Sequence, residues 1–394
     1  MKQAVILVGG KGSRLGGLSG ARPKPFVEVG GKPFIDHLIS HAKCQGVKRV
    51  LLLAGHAADW IRDYYECSIA NIEVELCIEV DPMGTAGALL AAADKLDEVF
   101  LLLNGDSILN GSWSALYPLL EEGVAVALGT RAVDDTARYG RIICDNNHVT
   151  EFSEKSCVGP GEINAGIYLV RRDNILPMLN GPASMEEDIL PKLVAEGQVR
   201  AAPIGGYFID IGLPETLATA REGLVENLRR PAVFFDRDGT LVEDEGYTHK
   251  VEDLIWKPDA IATLRKLNDT GYAVFIVTNQ AGIARGFYGE ADMQTFHEAM
   301  QQDLMKAGAH MDEFYHCPHH PEGKVAELSI VCGCRKPATG MLERAFSEHM
   351  LDKERTALVG DNDGDIGCGE AFGISAYRYR GGSLIDVCKA AGLL

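Results

Sequence analysis

No stretch of this chain approaches 18 consecutive apolar residues, so no membrane-spanning helix is expected. The opening residues MKQAVILVGGKGSR turn glycine-rich and basic where a secretory leader needs a longer apolar core and a cleavage site. The expectation is therefore a cytoplasmic protein. Basic residues are scarce: 38 Lys and Arg stand against 56 Asp and Glu, a net charge of −18. The deficit is even, −8 up to Arg230 and −10 beyond it, which argues against nucleic acid as a partner. It also repels phosphorylated metabolites, so a phosphate site must be a local basic exception. Repeats of 20–50 residues and low-complexity tracts are missing, which excludes solenoids and tails. Nor does cysteine form a framework: ten are spread along 394 residues, with three of them gathered at 317–334.

What the chain does have is a globular composition, 46% apolar and 24% charged, and the length of two domains. Short apolar runs at Ala4–Val8, Val50–Ala54, Val74–Ile78, Val99–Leu103 and Val124–Leu128 alternate with helical stretches such as Pro33–Cys44 and Gly87–Lys95. The theme repeats at Ala232–Phe235, Ala273–Val277, Ala357–Val359 and Ser375–Tyr379. Continuous apolar strands between helices predict an α/β protein with two Rossmann-like three-layer α/β/α domains and mostly parallel sheets. The seam falls in Glu226–Pro231, giving domains over 1–229 and 230–394. Ligands of such sheets gather at the carboxyl ends of the strands.

The first strand runs into Gly9-Gly10-Lys11-Gly12-Ser13-Arg14-Leu15, followed by Arg22-Pro23-Lys24-Pro25. Leu15 breaks the dinucleotide fingerprint, and no Walker A spacing can be laid on the loop. Four cations and exposed backbone N–H groups, with no acid before Glu28, supply the basic exception that phosphate requires. This loop with Pro-Lys-Pro resembles the signature of the sugar-1-phosphate nucleotidyltransferases, which have a GT-A-like fold. Val8 and Ser13 replace the usual alanine and threonine. The resemblance implies that Gly9 to Ser13 and Arg14 hold a nucleoside triphosphate, that Lys24 contacts phosphate, and that Gly84, Thr85 and Ala86 lie against the nucleobase. It further implies Mg²⁺ on Asp106 and Asp210, and a sugar site made of Tyr139, Gly140, Glu154, Lys155 and Asn164. The elements keep the family order over residues 8–212, and the β-helix of longer relatives is absent.

In the second half, an apolar strand delivers Asp236 and Asp238 into a Gly-Thr turn. Alternation places both on one face, where a divalent cation can gather them, and two close carboxylates raise one another's pKa. Thr278-Asn279, Arg335-Lys336-Pro337 and Asp361-Asn-Asp363-Gly-Asp365 follow in order, and a calcium loop at 361–365 is the plainer alternative. The four segments resemble the motifs of the haloacid dehalogenase-type phosphatases. That resemblance makes Asp236 the nucleophile and Asp238 the acid and base. Thr278 and Lys336 then hold the phosphoryl oxygens, and Mg²⁺ sits on Asp236, the Asp238 carbonyl and Asp361. Asp363 and Asp365 compete for the supporting role. Only 37 residues, read as helical, separate Thr240 from Thr278, so the domain is expected to be capless.

Cys317-Pro-His319, twelve residues, then Cys332-Gly-Cys334 reads as a closed Cys₃His zinc site, structural because no coordination position stays open. His316 and His320 compete with His319 as the ligand. The segment resembles the heptose 1,7-bisphosphate phosphatases and the related histidinol-phosphate phosphatases, which makes Asn279 and Arg335 substrate contacts. Asn362 stands where the former usually carry lysine. The remaining cysteines, 44, 67, 77, 144, 157, 368 and 388, are expected to be small buried hydrophobes.

The expected activity is that of a bifunctional enzyme. The second domain would remove the 7-phosphate of D-glycero-D-manno-heptose 1,7-bisphosphate, and the first would then make the nucleotide-heptose, GDP-linked and α, from GTP. The rivals are another sugar-1-phosphate transferase joined to a histidinol-phosphate-type phosphatase, or one domain serving only as a binding module. Small sugar phosphates and the nucleotide are the expected partners; a homo-oligomer is left open.

Overall fold

The computed structural model describes residues 2–9, 22–55, 58–67, 72–79, 81–152 and 158–394. Two compact units divide it, Met1–Asn227 and Leu228–Leu394. Among the described residues no helix is long and apolar enough to cross a membrane.

The first unit is built on a nine-stranded sheet. Its order is Glu73–Ile78, Arg49–Ala54, Gln3–Leu7, Val99–Asn104, Gly161–Arg171, Val126–Val133, Val199–Pro203, His148–Phe152 and Ile142–Asp145. The first four strands are parallel. Gly161–Arg171 then runs antiparallel to both neighbours, and the far edge is antiparallel as well, so the expectation of a mostly parallel sheet fails here. A strand buried on both faces carries the same apolar run in either direction, so sequence does not report its sense. From Gln3–Leu7 the chain steps outward to Arg49–Ala54 and Glu73–Ile78, then returns to Val99–Asn104 on the other side. That reversal opens a crevice at the carboxyl end of the first strand, where the glycine loop begins. A separate ribbon pairs Ser107–Asn110 with Tyr207–Asp210. It brings two distant aspartates to one place.

The second unit is a five-stranded parallel sheet in the order Glu313–Cys317, Ala273–Asn279, Arg230–Phe235, Leu351–Gly360, Ser375–Arg378. Arg230–Phe235 is central and the winding reverses beside it, which puts the crevice at Asp236. Val233, Phe235, Ile276 and Val359 fill one face with the helix Ala260–Asp269. The C-terminal helix Leu384–Ala390 packs down through Leu384 and Cys388. Between Thr240 and Thr278, that ten-residue helix and one short turn at Val251–Asp253 are the helical parts, fewer than expected. The rest is a loop closed by a bridge between Val242 and Trp256, whose indole lies against the core near Asp303. Cys77, Cys368 and Cys388 are buried as expected, but Cys144 is exposed on the sheet's edge strand. Cys157 and the side chain of Cys67 lie outside the described set.

At the start of the second unit Arg230 pairs with Asp312, which also accepts from the Val274 N–H at 2.8 Å. Burial alone would raise the Asp312 carboxyl, but Arg230, His310 and that N–H outweigh it and hold it well below the usual carboxylate range. A depressed carboxyl contributes stability above its unfolded value, near ~4, and loses it as pH falls through the folded value. Asp312→Asn should therefore cost about 3–5 kcal/mol at pH 7. The difference from the parent should shrink below about pH 4. Urea unfolding followed by far-ultraviolet dichroism checks this at neutral pH and in acid. An unchanged midpoint at pH 7 would sink it.

Candidate active sites

The first site is a cavity of about 510 Å³ at the switch point, lined by Gly9, Lys24, Glu79, Thr85, Asp106 and Glu186 among others. Lys24 lies in the short helical turn Lys24–Phe26 and pairs with Asp106. Asp106 follows the strand Val99–Asn104, and its carbonyl accepts from Ile211 N at 2.9 Å, which brings Asp210 alongside. Asp210 in turn pairs with Arg138 at 2.6 Å. Gly212 closes the cluster: a Cβ there would stand 2.6 Å from Asp210 Oδ1, 2.9 Å from Arg138 and 3.1 Å from Lys24 Nζ. Two carboxylates and two cations thus share one small volume. Arg22, read with the phosphate cations, lies over the Trp60 ring.

The helix Gly84–Ala91 forms one wall of this cavity. Gly84 has φ +73°, and a Cβ there would meet the Ala183 carbonyl at 2.5 Å, so glycine is required. Ala86 donates its N–H to that carbonyl, and Thr85 Oγ1 accepts from Met185 N at 2.8 Å. Asn164 donates to the Tyr168 hydroxyl at 2.6 Å, beside Glu186. Tyr139 lies next to Arg138, and Gly140 takes φ +79°. Gly10, Lys11, Gly12, Ser13, Arg14, Glu154 and Lys155 fall outside the described residues.

The second site is a cavity of about 290 Å³ lined by Asp236, Asp238, Tyr247, Thr278, Lys336 and Asp361, with Asn279, Gln280 and Tyr288. Lys336 Nζ donates to Asp236 Oδ1 at 2.7 Å and to the Val277 carbonyl at 2.6 Å, and pairs with Asp365 at 2.5 Å. Burial pushes the Asp236 carboxyl up to about 7; Lys336 works against this, while Asp365 and, less, Asp238 add to it. The sequence reading gave that effect to Asp238. Its carboxylate is instead held by the Arg237 guanidinium and Gln280, and the group gathered for a cation is Asp236, Asp361 and Asp365. Asp365 is fully buried, whereas Asp363 is exposed and paired with Arg378. Of the two, Asp365 is the one that lies with Asp236 and Asp361.

Asn279 spends its amide on the Lys336 backbone, accepting from its N–H at 3.0 Å and donating to its carbonyl at 3.1 Å. Arg335 is not among the lining residues and donates to the His319 carbonyl at 3.3 Å. Cys317, His319, Cys332 and Cys334 converge, with sulfur separations of 3.2–3.5 Å and His319 Nδ1 3.4 Å from Cys334. These are too long for a disulfide and close to the roughly 3.7 Å edge of a tetrahedron with bonds of about 2.3 Å. The four donors fit a tetrahedral cation.

A family model described as nucleotidyl transferase matches residues 3–227. HddC from Yersinia pseudotuberculosis, also solved complexed with GMP-PN, is 35% identical, covers 57% of this chain and all of its own, and superposes with a TM-score of 0.52. Residues 231–381 match a model described as polynucleotide kinase 3 phosphatase. The D-glycero-alpha-D-manno-heptose-1,7-bisphosphate 7-phosphatase of Photorhabdus laumondii is 44% identical over 36% of this chain and 77% of that protein. A beta-named counterpart from Rhodopseudomonas palustris is 39% identical over 39% of this chain and 85% of its own. The chain belongs to the nucleotidyl transferase family and, through its second unit, to that of the heptose-bisphosphate phosphatases.

It is a bifunctional enzyme, a nucleotidyltransferase and a phosphomonoesterase. In the nucleotidyl transferase unit the sequence reading passed over Glu79, Arg138 and Glu186. Glu79 directly follows the strand Glu73–Ile78, so the rule that ligands collect at strand ends had flagged its position. Its Oε2 accepts from Met83 N at 3.1 Å, and its Oε1 lies 3.8 Å from where a Cβ on Gly9 would stand. In the phosphatase unit Tyr247, Gln280 and Tyr288 had no motif to announce them.

Proposed function

We propose that the phosphatase unit converts D-glycero-D-manno-heptose 1,7-bisphosphate to the 1-phosphate, and that the transferase unit joins this product to GMP from GTP. The observation that carries the reading is the pairing itself. A phosphatase whose relatives are named for a heptose 1,7-bisphosphate releases a sugar 1-phosphate, the substrate class of the transferase on the same chain. The Photorhabdus relative is named for the α anomer and those of Rhodopseudomonas palustris and Yersinia pestis for the β anomer, so the α assignment rests on the first of these.

In the phosphatase, Asp236 attacks phosphorus. The Asp236–phosphorus bond forms as the ester bond breaks, and the departing alkoxide takes a proton from Asp238. Water then hydrolyses the aspartyl phosphate and returns a proton to Asp238. Thr278 lines the cavity, and Lys336 is bound to Asp236 until that oxygen bonds to phosphorus and frees a donor for the phosphoryl group. Asp236, Asp361 and the Asp238 carbonyl, with Asp365 nearby, fit Mg²⁺, which when bound neutralises charge on the transferring group. In the transferase, a heptose 1-phosphate oxygen attacks the α-phosphorus of GTP and pyrophosphate leaves. Lys24, with Lys11 and Arg14 of the glycine loop, supplies the positive charge for these phosphates. Asp106 and Asp210 fit Mg²⁺, which when bound screens the repulsion between the two anions. The four thiol and imidazole donors of the 317–334 loop fit a structural Zn²⁺.

Guanine presents two adjacent donors on its Watson–Crick edge, and a carboxylate is the group that accepts both. Glu79 is a carboxylate of the cavity that accepts from Met83 N, just before the Gly84–Ala86 segment that the family resemblance assigns to the nucleobase, and HddC was solved with GMP-PN. Incubated with Mg²⁺, the bisphosphate and each of four nucleoside triphosphates in turn, the protein should release phosphate in every case. GTP should give pyrophosphate and a nucleotide-heptose. Glu79→Gln should lower the preference for GTP over UTP by about 10- to 100-fold, because an amide opposes one guanine donor with its own N–H. Equal use of UTP by the unaltered protein would overturn the guanylyl assignment, and failure to cleave the bisphosphate would overturn the heptose assignment.

A further inference from the structure

In the wall of the phosphatase cavity lies a buried polar cluster that the roles given to Asp236, Lys336 and Asp361 leave unused. Arg237 is fully buried, and Gln280, Tyr288 and His297 are each at most 8% exposed. Gln280 sits at the centre. Its Oε1 receives the Tyr288 hydroxyl at 2.5 Å and Arg237 Nη2 at 3.2 Å. A guanidinium has no acceptor, and burial pushes the Tyr288 phenol up to about 12, so it stays protonated. Turning the amide over would set its N–H₂ against the guanidinium. The side chain therefore has one orientation, fixed by chemistry and not by fitting.

The consequence falls on the cavity. Gln280 Nε2 donates one hydrogen to Thr278 Oγ1 and the other to Asp238 Oδ2, both at 2.8 Å. The Thr278 oxygen is thereby an acceptor on the buried side, and its own hydrogen has no protein acceptor among the described residues. Asp238 Oδ2 also receives Arg237 Nη2 at 2.9 Å, while Oδ1 receives one donor, Arg237 Nε at 2.8 Å. A proton placed on Oδ2 would face two N–H groups; one on Oδ1 has room.

We propose that Gln280, locked by Arg237 and Tyr288, is a positioning residue of the phosphatase. It turns the Thr278 hydroxyl hydrogen toward the transferring phosphoryl group and confines the mobile proton of Asp238 to Oδ1. This rests on Asp238 being the acid and base. The proton passes from Asp238 Oδ1 to the alkoxide as the phosphorus–oxygen ester bond breaks. In the second half-reaction it is replaced from the attacking water.

Two substrates separate this from a merely structural role. The sugar bisphosphate has an alkoxide leaving group that needs a proton, whereas 2,4-dinitrophenyl phosphate has one that departs without it. In the full-length chain, Gln280→Glu keeps the shape but turns the donor into an acceptor. The expected result is a fall in kcat on the bisphosphate of about 10²-fold, with KM changed less than about threefold, and a loss on dinitrophenyl phosphate at least about tenfold smaller. The part of the loss shared by the two substrates reads the Thr278 role and the excess on the bisphosphate reads the Asp238 role: equal losses overturn the Asp238 role, and no loss overturns both. Should that variant fail to fold, Tyr288→Phe removes one of the two locks without removing the ring. It should lower kcat on the bisphosphate about fivefold and that on the activated ester less than twofold. A uniform loss there overturns the Asp238 role equally. If the unaltered protein ignores the heptose bisphosphate but cleaves another alkyl phosphate, the substrate reading fails alone, and the same ratio on that ester still decides the role of Gln280.

Discussion

Asp236→Asn should abolish phosphatase turnover, by about 10⁴-fold or more, while nucleotidyl transfer from supplied heptose 1-phosphate continues at the parent rate. The amide is isosteric, keeps a partner for Lys336 through its carbonyl, and cannot attack phosphorus. Two neighbouring carboxylates are already engaged: Asp365 is enclosed with Lys336, and Asp238 is held by Arg237. Each unit carries its own strand-end crevice, so the loss should stay in one of them. Phosphate release from the bisphosphate and pyrophosphate release from GTP plus the 1-phosphate measure the halves separately. Residual phosphate release above about 1% of the parent rate would remove Asp236 from the role of nucleophile. Loss of pyrophosphate release as well would mean that the halves depend on one another.

Removal of the proposed zinc should have the next largest effect. Cys334, one of its four proposed donors, is followed directly by Arg335 and by Lys336, whose ammonium reaches Asp236 at 2.7 Å. A loop freed at 317–334 releases the backbone that carries that ammonium, and displacements near 1 Å cost about 10²-fold. We expect one zinc per chain by elemental analysis. Chelation followed by assay in excess Mg²⁺, or Cys334→Ser, should lower phosphatase kcat by about 10²-fold or more and leave nucleotidyl transfer alone. The sign of the pH effect follows from the ligands. Burial raises the Cys317 thiol, so it is protonated without a cation, and binding must expel that proton. Acid therefore releases the metal, and restoring it near neutral pH should liberate protons in proportion to zinc taken up. A chelated protein with full phosphatase activity would show that the site does not support Lys336.

Much of both crevices was legible because their motif residues follow apolar strands at once or after one residue: Asp106 after Val99–Asn104, Asp236 after Arg230–Phe235, Asp361 after Leu351–Gly360. Strand, then polar residue, then turn is a local pattern. Glu79 shares that position but stands among common acidic residues, so only the folded cavity distinguishes it. Gln280 and Tyr288 gain their meaning from contacts with Asp238, Thr278 and Arg237, and no local pattern encodes those contacts. The direction of the Gly161–Arg171 strand was hidden for the reason already given, burial on both faces. Asp363 and Asp365 were separable in principle. They open the helix Asp363–Phe372 two residues apart, about 200° around its axis, so one faces inward when the other faces solvent.

The bridge between Val242 and Trp256 has a practical consequence for spectroscopy. Of the three tryptophans in the chain, Trp60 and Trp113 belong to the first unit, and Trp256 is alone in the second. Its backbone bridge closes the loop that carries Asp244 and Tyr247 to the phosphatase cavity. With Trp60 and Trp113 replaced by phenylalanine, the emission of the chain comes from one fluorophore tethered to that loop. Occupancy of one active site is then recorded optically, in the presence of the other, without an added label.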